Sequence, residues 1–581
     1  MLFRSLFPED LIPLTEMRLP RSMSVPGVAC ALSFSIGMGV VDTRSVCAQA
    51  QAESLLVVTT SGPDILDMHS LEANPPCWTV AWNVYDRLVS FDQTVLADGS
   101  ASYDHNAIIP ELAESWSVSA DGCTITFHLR KDAVFHDGTP LTAEDVKWSL
   151  DRAVSVGGFP SFQLKSGSLQ KPGQFQIIDL HTLKISLPKP DKQCLPVLAM
   201  PVASIFNSKL ARVHATADDP WAMAWLKTHA AGSGAYRLIS WQPGMSAIYH
   251  RNDHWCSGSP PALKRIEVRE VASADEQLAW LQRGTADVAF PLNAKQVQEL
   301  QQFSSLKVIS TPVENAMWYL GMKTDVPPFD DIRVRQAVAM AVPYEQILCK
   351  VMLNHAVPLF NKAVASVQPP GGDKPTSPPP PSTNWPQPTH WRADVEQARK
   401  LLQEAGYADG FTTHLAINHH AARPAAGIAA LIKESLAHVG IKILIREIAG
   451  PDWRSALLRK DLPMVVNHIE TWLNTPEHFF YWAYHSQNAV FNTMSYKNPR
   501  LDKLVEQARI EADPQQYTKQ VREFIHIAHQ EVPRIPLFQP LLHAAMSQQV
   551  TGYCAWFHGQ LDFRQLARIS PDGASPVFSG H

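Results

Sequence analysis

The chain has 581 residues, which is more than one hydrophobic core usually supports, so we expect two or three subdomains. Its 50 Lys and Arg against 55 Asp and Glu give a net charge of -5. This balance creates no basic field, which excludes nucleic acid as the main partner. The 45% hydrophobic content is that of an ordinary globular protein.

The N-terminal stretch has a pattern typical of export. Arg18 and Arg21 precede an apolar run over residues 25–41, and small residues at 47–50 follow as a cleavage region. These features predict a secretory signal over residues 1–50.

Two details refine that prediction. Translation can begin at Met17, because the preceding residues fit an export signal poorly, and we expect the mature N-terminus at 49–53. Residues 44–46 before Cys47 are not those that precede a lipidated cysteine, so a lipoprotein is not predicted. No other uninterrupted apolar stretch reaches the roughly 18 residues of a membrane span. We therefore expect a soluble periplasmic protein.

Residues 110–152 carry the densest local signals. Residues 111–116 indicate a short amphipathic turn, and Gly122 ends a polar turn. Polar and apolar residues then alternate over 124–129, the two-residue period of a half-buried strand. Thr142 precedes two acids and can cap the helix that follows.

Further elements are predicted along the chain. The expected strands are 55–58, 181–187, 247–250, 265–268, 414–418 and 441–447. The expected helices are 275–282, 395–405, 425–439, 499–511 and 514–529. A proline-rich run within 367–388 indicates an extended surface loop. Alternating strands and helices in the second half favour a largely parallel, doubly wound sheet.

Four segments resemble one protein family. They are NVYDRL at 83–88, the stretch at 110–152 with its FHLR and FHDGTPLTAEDV runs, GSGAYRL at 232–238 and PPFDDIRVRQA at 327–337. In this order they resemble the extracytoplasmic solute-binding proteins of ABC importers, family 5, the peptide- and nickel-binding class. The resemblance spans about residues 54 to 545.

The resemblance implies an α/β, two-lobed periplasmic binding protein fold of type II, the large peptide-binding class. It implies an extra subdomain on lobe I and two hinge crossings, near 312–315 and 532–536. The expected divisions are a signal at 1–50, lobe I at 51–97, the extra subdomain at 98–235, lobe I again at 236–314, lobe II at 315–533, and a return to lobe I with a C-terminal tail at 534–581.

The same resemblance implies function. The chain is expected to capture a small solute, peptide-like or otherwise aromatic or apolar, between its lobes. It is expected to act as a monomer and to deliver the solute to ABC permease and ATPase subunits. Closure is then a hinge motion, in which solute contacts made from both lobes select the closed form.

No motif of catalysis stands out, and there is no GxSxG elbow, HExxH or phosphate loop. We therefore expect no enzyme activity and no cofactor, with a hydrolase as a remote alternative. The 23 histidines keep a nickel or metal-chelate carrier open as the main alternative, with His526 and His529 on one helix face and His419 beside His420. Six cysteines follow the predicted signal, and their spacing does not reveal any pairing.

The comparison with peptide-binding relatives is informative around Pro476. Those relatives hold the ligand's ammonium group with an aspartate four residues before this proline, where this chain has Trp472. An arginine that some relatives use for the ligand carboxylate corresponds to Val466. Free dipeptides and tripeptides are therefore expected to bind poorly. Glu470 can supply a displaced acid, and a solvated surface glutamate is the other interpretation.

The remaining candidates for ligand contact are aromatic, imidazole or acidic. Aromatic rings offer stacking, cation–π contact and apolar burial. The candidate ligand-binding residues are Trp472, Glu470, His468, Trp318, Tyr319, Asp86, Phe538 and His485. No metal ligand is assigned.

Overall fold

A computed structural model describes residues 53–70, 72–96, 100–359, 391–419, 422–488 and 490–569. The predicted export signal, the proline-rich run at 367–388 and His420 lie outside these residues. Within the described ranges, no helix is long and apolar enough to cross a membrane. The six cysteines found there are all free thiols.

The strands alternate with helices along most of the chain. In chain order the strands are β1 (Ser54–Thr59), β2 (Val89–Val95), β3 (Ala101–Pro110), β4 (Ala113–Val118), β5 (Thr124–Leu129), β6 (Phe175–Asp179), β7 (Thr182–Ser186), β8 (Tyr236–Gln242), β9 (Ser246–Arg251), β10 (Arg265–Glu270), β11 (Val288–Leu292), β12 (Leu306–Pro312), β13 (Ala316–Met322), β14 (Ala356–Pro358), β15 (Phe411–Asn418), β16 (Ile441–Ile448), β17 (Met464–Glu470), β18 (Arg534–Ser547), β19 (Val550–Thr551), β20 (Cys554–Ala555) and β21 (Ala567–Arg568).

The α-helices are α1 (Cys77–Val84), α2 (Ala143–Ser155), α3 (Gly158–Ser166), α4 (Cys194–Leu198), α5 (Ser208–Val213), α6 (Met223–Leu226), α7 (Ala274–Gln282), α8 (Ala294–Leu300), α9 (Ile332–Ala341), α10 (Tyr344–Gln346), α11 (Val395–Glu404), α12 (Ala422–Ala437), α13 (Gly450–Arg459), α14 (Pro476–Ala483), α15 (Pro499–Ile510) and α16 (Pro514–Glu531).

Lobe I is built on a sheet with β1 at its centre. β1 pairs in parallel with β10 and β11, and β9 and β8 extend the sheet as an antiparallel hairpin. Val57 and Val58 of β1 are fully buried. Both faces of this strand are covered, as expected for an apolar strand inside a sheet packed on two sides.

The extra subdomain contains a four-stranded antiparallel sheet, ordered β4-β5-β7-β6. The predicted strand at 124–129 is confirmed as β5. The predicted cap is confirmed too, since Thr142 and Asp145 form a capping box at the start of α2. The amphipathic turn predicted at 111–116 is wrong, because Ala113–Val118 pairs with β5 as a strand. The outward-facing residues of β4 are mostly polar and exposed, so this strand has no clear alternation of apolar residues in the sequence.

Two buried ion pairs attach the subdomain to lobe I. Arg152 of α2 binds Asp67 at 2.5 Å, and Arg87 binds Glu111 at 2.5 Å. In both pairs each side chain is almost completely buried. Losing one partner would leave an uncompensated charge inside the protein, so these contacts fix the subdomain on lobe I.

Lobe II contains the sheet ordered β16-β15-β17-β13-β18. β15 pairs in parallel with β16 and β17, as the alternation of strands and helices predicts. β13, however, is antiparallel to both β17 and β18. The sheet is therefore mixed, and the prediction of a largely parallel sheet is only partly right. The cause is that β13 and β18 reach the sheet through the crossings and not through βαβ units.

The strand pairing shows where the chain crosses between lobes. Residues 313–315 join β12 to β13, within the predicted first crossing. β18 forms the second crossing, because its residues 534–538 pair with β13 and its residues 541–547 pair with β12. The predicted second crossing at 532–536 is wrong, since those residues still lie in the lobe II sheet. We place the return to lobe I at 539–541 of this long strand.

Candidate functional site

The hinge end of the lobe II sheet presents a stack of three rings. Trp318 of β13 lies opposite His468 of β17, and β18 places Phe538 on its other side. The ring centroids of His468 and Phe538 lie 5.3 and 6.0 Å from that of Trp318, with interplanar angles of 29° and 19°. These three predicted residues form one stacked surface, which we call the Trp318 stack.

Glu470 lies beside this stack. It follows His468 by two residues on β17, so both side chains point to the same face of the sheet. The Glu470 side chain has solvent-exposed surface, and desolvation by the surrounding protein raises the pKa of its carboxyl group to about 7. No Lys, Arg or His forms a salt bridge with it in the described part of the chain. A solvent-accessible carboxylate with a raised pKa and no cationic partner is suited to receive a cation from a ligand.

Lobe I and the first crossing form the opposite wall. Burial, then the charges of Glu314 and Glu470, raise the pKa of the Tyr103 phenol well above its usual value, so Tyr103 of β3 lies near both acids. Glu314 belongs to the first crossing, and its Oε2 accepts a hydrogen bond of 2.6 Å from Asn474 Nδ2. The hinge end of the cleft therefore combines two carboxylates with aromatic walls from both lobes.

Trp472 lies between the lobes, with little exposed surface. Its indole Nε1–H donates a 2.9 Å hydrogen bond to Ser166 Oγ, and its ring meets Phe159 edge-on at 5.4 Å. His478 and Trp482 pack around it at 5.0 and 4.6 Å. Protein groups enclose the indole, which is 7% exposed. This arrangement favours contact between lobes over the predicted stacking on a ligand.

Three other predicted residues lie away from the Trp318 stack. Tyr319 points to the opposite sheet face, where its ring lies under the Arg534 guanidinium at 4.5 Å. Asp86 is buried in lobe I, where its carboxylate accepts hydrogen bonds from Ser233 and Trp255. His485 is buried after α14, with Nε2 3.3 Å from Glu506 Oε1. Each has a structural partner and does not line the acidic end of the cleft.

The histidines that keep the metal alternative open lie in separate segments of the described structure. Among the described residues, no three His, Cys, Asp or Glu side chains are grouped closely enough to hold a metal ion. His529 of α16 instead stacks on Trp391 at 5.0 Å. His419 contacts Glu447 through Nδ1 at 3.0 Å on the exposed surface.

Sequence reasoning missed several residues of the cleft. Tyr103 carries no local signal, because only the fold brings β3 to face β17. Glu314 could have been predicted, because it lies in the predicted first crossing. A residue in a crossing lies at the hinge end of the cleft. Asn474 and Arg509 also escaped prediction, because their partners Glu314 and Asp191 are distant in sequence.

Two lobes joined by two crossing strands, with a cleft between them, define the class of periplasmic binding proteins. The chain belongs to the bacterial extracellular solute-binding proteins, family 5, whose middle-region profile matches residues 107–491. It is therefore a solute-binding protein that captures a small solute for an ABC importer. Members of this family are binding proteins of the periplasm and not enzymes, and they deliver ligands to permease and ATPase subunits.

Individual proteins that are similar to this chain support the same family assignment. The glutathione-binding protein GsiB of Escherichia coli O157:H7 is 30% identical over 452 residues, which cover 76% of this chain and 82% of that protein. The structure of DppA from Helicobacter pylori in complex with the peptide STSA aligns with a TM-score of 0.70 at 21% identity, covering 90% of this chain and 99% of that one. NikA from Brucella suis in complex with Fe(III)-EDTA aligns with a TM-score of 0.70 at 19% identity, covering 89% and 99%. The two structures show the shared fold.

Proposed function

We propose that this protein captures a small, peptide-like solute that carries a positively charged amine beside an apolar or aromatic group. The amine binds Glu470, and the apolar group packs on the Trp318 stack. The observation that carries the proposal is the accessible Glu470 carboxylate beside the Trp318 stack, which has a raised pKa and no salt-bridge partner among the described residues.

The physical reason is the cost of an unpaired charge. Poor hydration disfavours the ionised form of Glu470, and this is why its pKa lies at about 7. A ligand cation within about 4 Å would favour the ionised form by direct attraction. Glu470 thus replaces the aspartate that peptide-binding relatives carry at the position of Trp472, and this proposal replaces the expectation from Trp472 alone that free peptides bind poorly.

The neighbouring surface suits the rest of such a ligand. The Trp318 stack offers an apolar edge with polar imidazole beside it, and Tyr103 lies near Glu470. Aromatic contacts of this kind contribute about 0.5–1.5 kcal/mol beyond burial of area. The names of relatives point the same way, since glutathione and the peptide STSA both carry a free amine and amide groups.

The proposal includes the cellular setting. The chain is exported by the signal at 1–50, is not a lipoprotein and works as a periplasmic monomer. It delivers its solute to ABC permease and ATPase subunits, performs no chemistry, and needs neither a cofactor nor nucleic acid. The divisions predicted at 97/98, 235/236 and 314/315 belong to this proposal, with the final return to lobe I moved to 539–541.

Calorimetry with defined probes tests the ligand class. The probes are glutathione, the dipeptide Met-Leu, the peptide STSA, and Met-Leu with its amine acetylated. We expect binding of at least one free-amine probe, and loss of binding on acetylation. Glu470→Gln removes the charge and should weaken binding by about 1.5–3 kcal/mol, the range for a hydrogen bond to a charged group.

The matched control is Glu523→Gln, which removes a glutamate of the same lobe that pairs with Arg500 on the surface. It should leave binding unchanged. Mass spectrometry of the solute that co-purifies from the periplasm extends the test beyond these probes. A solute without any basic group, or a metal chelate, would contradict the proposal.

A further inference from the structure

We propose that Trp472 and Arg509 are positioning residues that hold the two lobes closed through direct protein contacts, whatever solute is captured. This goes beyond the proposed function, because it assigns these residues to the motion of the lobes and to no part of ligand recognition. We call their contacts with Phe159, Ser166 and Asp191 of the lobe I subdomain the closure interface.

The first half of the closure interface is aromatic. Trp472 projects from lobe II, just beyond β17, and its ring packs edge-on against Phe159 of α3. Its Nε1–H donates to Ser166 Oγ at 2.9 Å. Phe162 of the same helix meets Trp482 of α14, with ring centroids 6.4 Å apart. Even with these contacts, Phe159 and Phe162 remain 40% and 42% exposed, so the two rings lie at the edge of the closure interface.

The second half is ionic. Arg509 lies in the last turn of α15, and its guanidinium forms a salt bridge with Asp191 of the lobe I subdomain. Its Nε–H also donates to Asp191 Oδ1 at 3.3 Å. Asp191 is held from behind by Ser168, whose hydroxyl donates to Oδ2 at 2.6 Å. The acceptor is thus fixed within lobe I before Arg509 reaches it, which lowers the entropy lost on closing.

A third contact lies beside these two. Lys192 Nζ is 3.7 Å from Glu477 Oε1, and it lies 3.8 Å above the Tyr517 ring. Tyr517 donates a 2.8 Å hydrogen bond to the other oxygen of Glu477. Charges of opposite sign therefore face each other across the lobes at two neighbouring points, so the electrostatics favour closing.

These contacts involve side chains of the protein only. They lower the free energy of the closed form without any contribution from a solute, so they raise its population before capture. The apparent affinity of a ligand that binds only the closed form is proportional to the fraction of protein that is already closed. A larger closed fraction in the free protein therefore raises the apparent affinity. Weakening the closure interface should open the free protein while each lobe keeps its fold.

Small-angle X-ray scattering of solute-free protein tests this. Wild type, Arg509→Gln and Arg509→Lys are unfolded in guanidinium chloride, refolded and dialysed, and circular dichroism checks that each has regained its fold. We expect the solute-free wild type to contain a measurable closed population and therefore to have a smaller radius of gyration than Arg509→Gln. Arg509→Gln should raise the ratio of open to closed protein by roughly fivefold, the effect of losing a favourable ion pair. Arg509→Lys should recover part of this loss because it keeps the charge.

Arg500→Gln is the matched control, because Arg500 lies on the same helix and pairs with Glu523 inside lobe II. It should scatter as the wild type does. Ser166→Ala, which removes an acceptor from the opposite lobe, provides a second variant if Arg509→Gln does not refold. The proposal is overturned if solute-free wild type is as extended as Arg509→Gln and Ser166→Ala, or if Arg500→Gln opens the protein equally.

Discussion

Glu470 and Trp472 are separated by one residue, yet they belong to regions of opposite character. At the hinge end of the cleft, the Glu470 carboxylate has no cationic partner in the described residues, and the Trp318 stack has accessible surface. At the closure interface, Arg509 is paired with Asp191 and Trp472 is enclosed by protein. A charged group without a protein partner indicates a place where a ligand can bind. Charged and aromatic groups that already have protein partners indicate a contact between the lobes.

The end of β17 explains how close neighbours come to differ. Glu470 is the last residue of the strand and still follows its alternation toward the cleft. Trp472 lies beyond the strand, where Thr471 hydrogen-bonds to Asn315 in the first crossing, and the chain turns toward the lobe I subdomain. In our proposal the ligand's amine therefore binds Glu470, and not the residue found by counting four positions back from Pro476.

The largest expected effect is on the pH dependence of binding. A ligand amine needs ionised Glu470, and the pKa of this group is about 7. Affinity should therefore be highest between about pH 7 and 8, where Glu470 is ionised and the ligand amine is still protonated, and fall about tenfold for each pH unit below 7, or roughly a hundredfold by pH 5. Calorimetry across this range measures it, using a free-amine probe that binds or the co-purified solute.

The groups around Glu470 do not reverse this sign. Burial lowers the pKa of His468, which disfavours a positive charge there, and the Tyr103 phenol stays protonated throughout. Glu314 is the other acid nearby. In Glu470→Gln the affinity should depend much less on pH. If the pH dependence of affinity were unchanged from the wild type, another group would be responsible for it.

A smaller effect is expected at the Trp318 stack. Trp318→Leu keeps an apolar side chain but removes the ring that His468 and Phe538 flank. Affinity should fall by about 0.5–1.5 kcal/mol through lost aromatic contact. Trp241→Leu removes a tryptophan of β8 whose Nε1–H binds Pro63 O, and it should have no effect on affinity. Equal losses in both variants would mean that the stack does not touch the ligand.

The smallest effect is expected at the closure interface. Trp472→Phe and Ser166→Ala each remove one side of the hydrogen bond between the lobes. Each should increase the rate of ligand release, with a coupling of about 0.5–1.5 kcal/mol between them in a double-mutant cycle. Stopped-flow measurement of release gives the four rates. Additive effects would show that the two residues act independently.

Local sequence signals predicted much of the fold. The alternation over Thr124–Leu129, the Thr142 cap and the strands of lobe II were visible because each depends on neighbouring residues. The failures have a different origin. β4 was missed because its outward residues are polar, and the position of the second crossing depends on which strand pairs with each part of β18.

The candidate site shows the same limit. Trp318, His468 and Phe538 come from three strands, and their types suggested a ligand surface before their register was known. The structure adds that register, and it also separates Tyr319, which alternation places on the opposite face. Tyr103 and Arg509 could not be predicted, because their roles depend on contacts between lobes. Such contacts leave no periodic pattern in either segment.

Proton release on binding is the most direct test of the central claim that Glu470 receives the cation of the ligand. Calorimetry at pH 7 in two buffers of different ionisation enthalpy measures it. With a pKa of about 7, Glu470 is about half protonated before binding, so ionisation by a bound amine should release about half a proton. Glu470→Gln should release none with any residual binding. If the wild type binds an amine ligand without releasing protons, or if Glu470→Gln releases as many, Glu470 is not the group that holds the cation.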